Sequence, residues 1–137
     1  MKSKINIMIA AFVMTAAMFL FSGMASAQCP AAGKCQGNCP TLYRHGVNNA
    51  INVPPYSSDG TGKCHKIKGE CKCEYRVSGN ENTCTLNQTT HLCGGDCPTL
   101  YATPEDAQAQ TNPISFAHMD CNTFTTNNVQ YCVCIYY

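Results

Sequence analysis

Cys35-Gln36-Gly37-Asn38-Cys39-Pro40-Thr41-Leu42-Tyr43 and Cys93-Gly94-Gly95-Asp96-Cys97-Pro98-Thr99-Leu100-Tyr101 carry one pattern, C-x-x-x-C-P-T-L-Y, twice in the same chain. Each run sits inside the same six-cysteine frame. The first frame is Cys29, Cys35, Cys39, Cys64, Cys71, Cys73, and the second is Cys84, Cys93, Cys97, Cys121, Cys132, Cys134. Both close on C-x-C followed by strand-type residues. Recurrence of the cysteines together with Pro-Thr-Leu-Tyr marks two copies of one small module, each with enough cysteines to crosslink itself.

The N-terminus bears on where those cysteines work. Lys2 and Lys4 precede an apolar run over residues 5–21, and small residues follow, ending Ala25-Ser26-Ala27. A charged start, an apolar centre and an A-x-A site read as a secretory leader, with the mature chain expected to begin at Gln28. An uncleaved N-terminal anchor is the alternative, and the placement of A-x-A argues against it. Oxidising compartments pair thiols present in even number. Zinc and thiol-redox modules rely on C-x-x-C, which is absent from this chain. A module of about fifty residues buries too little apolar surface to offset its ordering entropy. With no Trp in the chain, crosslinks must substitute for a core. A disulfide closing a loop of about 35 residues contributes roughly 3–4 kcal/mol in the chain-entropy model.

The expected organisation is a leader over residues 1–27, a basic module over 28–79 and an acidic module over 80–137. Lys34, Arg44, Lys63, Lys66, Lys68, Lys72 and Arg76, against Asp59, Glu70 and Glu74, give the first copy +4. The second has no Lys or Arg and carries Glu81, Asp96, Glu105, Asp106 and Asp120, giving −5. Opposite signs imply different tasks or mutual attraction, and also fit drift on solvated surfaces. The junction falls at Ser78-Gly79-Asn80-Glu81-Asn82, a run of turn formers. Asn87-Gln88-Thr89 is the single N-x-S/T sequon of the mature part and makes Asn87 a candidate glycosylation site.

Cysteines at i and i+4 share a helix face, and cysteines at i and i+2 share a strand face, so C-x-x-x-C can staple to C-x-C by two adjacent bonds. Six cysteines nevertheless admit 15 pairings per copy. Residues 62–67 and 70–77 flank Lys68-Gly69, and residues 121–125 and 129–136 flank Thr126-Asn127-Asn128; both read as β-hairpins. Alternation places Lys72, Glu74 and Arg76 on the far face of the first. In the second, Tyr131, Val133 and Ile135 form an apolar stripe opposite Cys132 and Cys134. That stripe is expected to be covered by the other module, by a partner or, foremost, by the 98–120 segment through Ile114 and Phe116. Pro40 and Pro98 leave two readings of C-x-x-x-C: a short distorted turn ending at the proline, or a helix starting there. Thr103-Pro104-Glu105-Asp106 reads as a separate helix start, and residues 45–52, which contain Gly46, are less helical.

The frame resembles the cysteine-stabilised αβ module of plant-type defensin-like proteins. That family's pattern is Cys, C-x-x-x-C, G-x-C, C-x-C, matched here by Cys29, Cys35/Cys39, Gly62-Lys63-Cys64 and Cys71/Cys73. Two such modules behind a leader are similar to the two-module members of that group. The departures are Met119-Asp120-Cys121 in place of G-x-C, the long stretches before Cys64 and Cys121, and the prolines. The resemblance implies a small disulfide-rich α+β fold: two tandem modules, each a short helix or turn plus a β-hairpin or small antiparallel sheet. It implies the bonds Cys29–Cys64, Cys35–Cys71, Cys39–Cys73, Cys84–Cys121, Cys93–Cys132 and Cys97–Cys134. It also implies a secreted host-defence protein acting on fungal or microbial membranes.

Lys63, His65, Lys66, Lys68 and Lys72 around Ile67 are the candidate membrane- or target-binding residues. Each lysine near an anionic surface contributes about 1 kcal/mol. His45, His65, His91 and His118 are scattered and read as ordinary surface histidines. No hydrolase, zincin or P-loop motif occurs, so the chain is read as a non-enzyme without cofactor, metal, small-molecule substrate or nucleic-acid partner. The expected partner is an anionic membrane surface or a cell-surface protein, met by a monomer. Alternative functions are a secreted ligand for a cell-surface receptor and an inhibitor of a protease or ion channel. The 52–56 and 112–116 loops suit protein recognition and suit plain turns equally.

Overall fold

The repeated Leu-Tyr after each C-P-T enters a strand, not a helix. The computed structural model describes Cys29, Cys35, residues 37–78 and residues 84–137; the expected leader, Lys34 and the junction at 79–82 lie outside the described residues. In chain order the first half forms β1 (Leu42–Arg44), β2 (Ile51–Val53), β3 (Pro55–Tyr56), β4 (His65–Ile67), β5 (Glu70–Lys72) and β6 (Glu74–Ser78). The second half forms β7 (Thr85–Leu86), β8 (Cys93–Gly94), β9 (Leu100–Tyr101), α1 (Pro104–Ala109), β10 (Met119–Thr126) and β11 (Val129–Tyr136). Among the described residues the architecture is a small disulfide-rich fold of short antiparallel sheets with almost no helix. The small disulfide-rich class is as expected, and of the two readings of C-x-x-x-C residues 93–97 take strand and irregular backbone in place of a helix. Cys93–Gly94 is strand, Gly95 has φ +116°, and the proline after each second cysteine disfavours helix at the residue before it. Residues 45–50 contribute no helix either. The single short helix among the described residues lies in the long connection, where Thr103 caps it by accepting from the Asp106 N–H, Pro104 opens it and Gln110 ends it in the left-handed region.

Six disulfides hold the strands: Cys29–Cys64, Cys35–Cys71, Cys39–Cys73, Cys84–Cys121, Cys93–Cys132 and Cys97–Cys134. Each half pairs its own cysteines in the same order, first with fourth, second with fifth, third with sixth. The cystines also make the core. Cys134 is fully buried, and Cys84 and Cys64 nearly so, with Leu42, Val53, Val77 and Leu100 packed around them. Cys39 N–H donates to Gly62 O and Cys64 N–H to Gly37 O, tying C-x-x-x-C to the segment that leads into β4. Gly62 has φ +64°, and a Cβ there would lie 3.0 Å from the Pro55 ring, so G-x-C needs its glycine. Met119 occupies the matching place in the second half within the regular strand β10, which places no such demand.

Two of the four sheets among the described residues combine strands of both halves, in the orders β2-β1-β9 and β10-β11-β6-β3. In each, repeat-equivalent residues face one another. Tyr43 of the first C-P-T-L-Y pairs with Tyr101 of the second. Tyr75, two residues beyond Cys73, pairs with Tyr136, two residues beyond Cys134. The Tyr75 hydroxyl donates to Pro40 O at 2.9 Å, and the Tyr136 hydroxyl donates to Pro98 O at 2.6 Å. Mutual contact between equivalent residues is the signature of a two-fold, isologous interface, here formed within one chain.

The apolar stripe of β11 is covered in part, and not by the expected segment. Val133 is 6% exposed, Ile135 is half-buried and Tyr131 is 41% exposed. Phe116 instead packs on Tyr75 and Tyr136, at ring distances of 6.1 and 5.2 Å, and Ile114 joins the same cystine core. Strand alternation puts Tyr136 on the face of Cys132 and Cys134, so Phe116 lies on the side away from the stripe. Above the stripe, the Arg76 guanidinium lies 3.5 Å from the Tyr56 ring and 5.4 Å from the Phe124 ring. Tyr56 and Phe124 belong to the two outer strands, β3 and β10, so this group bridges across β11. The cover therefore comes from the first half of the chain together with Phe124.

Candidate functional site

The basic candidates share one hairpin. β4 and β5 pair in the register His65↔Lys72, Lys66↔Cys71, Ile67↔Glu70 and join no other strand among the described residues. Lys68 and Gly69 form the two-residue turn with φ +50° and +87°, the conformation that matches strand twist in a tight hairpin. A lone two-stranded ladder is marginal in water; here Cys64, Cys71 and Cys73 anchor its ends to Cys29, Cys35 and Cys39. Lys63 precedes the ladder in a bridge with Asn38. Just upstream, Asp59 accepts from the Thr61 N–H and hydroxyl, and hydrogen bonds led by that of Ser57 hold its carboxyl down at about 2.

The five candidates separate into two groups. Lys63, Lys66 and Lys68 are exposed, and none of the three is in an ion pair among the described residues. His65 and Lys72 are half-buried and engaged. His65 Nε2 donates to Glu74 Oε2 at 2.9 Å, and Lys72 Nζ lies 3.2 Å from Glu70. Glu74 itself is 7% exposed and also accepts from Arg76 Nε at 2.6 Å. The expected outward charge of Lys72, Glu74 and Arg76 is corrected accordingly: β6 lies between β11 and β3, and its acid is buried beside Arg76 and His65.

Sequence reasoning missed the seat of this hairpin on the second half. The Nζ atoms of Lys68 and Lys72 each stand 5.6 Å from the Tyr137 ring centre. That ring stacks on His118 at 4.3 Å, and His118 Nε2 lies 3.0 Å from Asp120 Oδ2. Cation–π attraction of this kind is worth about 0.5–1 kcal/mol at exposed sites. No spacing rule links Tyr137 to Lys68, so no sequence signal was available for it. His45 Nδ1 lies 3.2 Å from Ala107 O at α1, and His91 is exposed in a turn. The sulfurs of Cys29, Cys39, Cys64 and Cys73 lie within 4.8 Å of one another, but two disulfides consume all four, which makes the group a cystine core. Among the described residues no helix is long and apolar enough to cross a membrane.

Comparison of the chain with protein-family models, curated proteins and solved structures found no match.

Proposed function

We propose that this chain is a secreted, defensin-like host-defence protein with two tandem modules, whose basic hairpin engages anionic membrane surfaces. The observation that carries the reading is the projection of Lys63, Lys66 and Lys68, exposed and outside any ion pair among the described residues, beside Ile67 on a hairpin pinned by disulfides. Three such lysines supply about 3 kcal/mol toward an anionic leaflet, screened by salt. The acidic second half is held in the same sheets, so the charge asymmetry orients the approach. Leakage from anionic vesicles and inhibition of fungal growth, measured on the intact oxidised protein, test the reading. Replacing Lys63, Lys66 and Lys68 together by Gln should abolish both effects, and retention of both would overturn it.

A second reading, a secreted ligand for a cell-surface protein, is favoured by one observation. Val129 and Tyr131 are 64% and 41% exposed at the tip of the β10–β11 hairpin, with Phe124 stacked on Tyr131 at 5.9 Å. Aromatic and apolar side chains of this kind anchor protein interfaces. Replacing Val129 and Tyr131 by Ser separates the two readings, because it should leave vesicle leakage unchanged and abolish binding to such a partner.

A further inference from the structure

We propose that Asn87 carries an N-linked glycan that shields the apolar end of the β7–β8 hairpin. Asn87 is exposed at the start of the loop joining β7 to β8, where its N–H donates to Leu92 O and its carbonyl accepts from the His91 N–H. Its side-chain Oδ1 accepts from the backbone N–H groups of Thr89 and Thr90, both at 2.9 Å. This Asx-type turn fixes the amide carbonyl toward the chain. The Nδ2 group forms no hydrogen bond among the described residues, and Nδ2 is the atom a glycan is built on. Both hydrogen bonds span two or three residues, so the same turn is available to the emerging chain before the disulfides close. In the transfer, Nδ2 attacks the anomeric carbon of a lipid-linked oligosaccharide. The C–N bond forms as the C–O bond to the lipid pyrophosphate breaks. The pyrophosphate leaves with the electron pair, and one amide proton passes to a base of the transferase.

The surroundings give the glycan a task. Leu92 is 63% exposed, and it lines a shallow depression with Thr85, Asn87, Thr90, Cys93 and Gly94. Leu92 adds apolar surface at this two-stranded edge, and a sugar rooted at Asn87 covers both. The site is also clear of the basic hairpin. Cys93 is bonded to Cys132 and donates its N–H to Thr123, whereas Lys68 and Lys72 meet Tyr137, about 17 Å further along the direction of β11. A glycan at Asn87 thus leaves the lysines open.

The inference rests on export of the chain, and the test keeps the two apart. The full chain is secreted from a eukaryotic host alongside a reporter that carries a known glycosylated sequon. The secreted protein should shift on gels after endoglycosidase treatment, with Asn87 converted to Asp in the released peptide. Thr89→Ala should lose the shift, and Thr89→Ser should keep it. Secreted protein with unmodified Asn87, beside a glycosylated reporter, would overturn the site, while a chain retained with its leader would overturn export itself. For shielding, the secreted Thr89→Ala protein should self-associate more than wild type, and Leu92→Ser in that background should restore the wild-type elution volume. Identical elution of wild type and Thr89→Ala would overturn the shielding role.

Discussion

Tyr75 and Tyr136 show how single residues carry the repeat into three dimensions. Each is almost fully buried, and each donates its hydroxyl to the carbonyl of its own half's C-P proline. Burial pushes the Tyr75 phenol up to about 12, and pushes Tyr136 further in the same direction against the opposing attraction of Arg44. A phenol whose folded value is raised contributes stability that is intact below the ordinary tyrosine value of about 10 and is lost as pH rises through the folded value. Ultraviolet titration should therefore show Tyr75 and Tyr136 ionising after the other tyrosines, with stability falling above about pH 10. Titration of all tyrosines together, with stability flat to pH 12, would contradict the burial. Arg76 is the second residue whose context was hidden in the sequence. Alternation placed it correctly opposite the cysteines, but only the sheet order shows that it lies between two rings and neutralises buried Glu74. Removing one partner of a buried pair costs about 3–5 kcal/mol. Arg76→Leu should fall below that range, since the Arg76 side chain is part-exposed and His65 still hydrogen-bonds Glu74, and denaturant melts would read it directly.

Elements with local signals were legible, and those set by long-range partners were not. The Asn127-Asn128 turn, with φ +51° and +63°, and the Thr103 cap at α1 both follow from residues within a few positions. The C-x-x-x-C segments do not. Their cysteines permit a helix face, and the choice of strand and irregular backbone is made by Pro40, Pro98 and Gly95 together with bonds to distant segments. Pairing of the cysteines has the same character, because only the approach of Cα atoms to 5.5–5.8 Å selects one of the 15 arrangements open to spacing. Asp106 shows what a cap adds locally: hydrogen bonds from Asn112, Thr103 and Thr111 hold its carboxyl below the usual carboxylate range. That contribution is present above the ordinary value of about 4 and is lost as pH falls through the depressed folded value. Thr103→Ala should cost about 1 kcal/mol and move Asp106 back toward its ordinary value, which carboxyl chemical shifts across pH would report.

At the scale of the whole molecule, the duplicated sequence becomes one structural unit, because β1 pairs with β9 and β6 with β11. Sequence alone identified the two copies and left open their relation, since a repeat reports what each copy is and not which edges meet. Shared sheets imply a single cooperative denaturant transition in the oxidised protein, seen alike by a probe in each half. Two separated transitions would show the halves to be independent. The same joining carries the basic hairpin of one half against Tyr137 and His118 of the other, and Lys63, Lys66 and Lys68 are the exposed cations of that hairpin. The most direct measurement of their role is the partition coefficient of the intact protein onto vesicles with and without anionic lipid, at low and high salt. The wild-type protein should prefer anionic vesicles, lose that preference at high salt, and lose about 100-fold when Lys63, Lys66 and Lys68 are all replaced by Gln, with a smaller loss for Lys72→Gln. Equal partition onto neutral vesicles, or an unchanged coefficient for the triple variant, would contradict a membrane-directed hairpin.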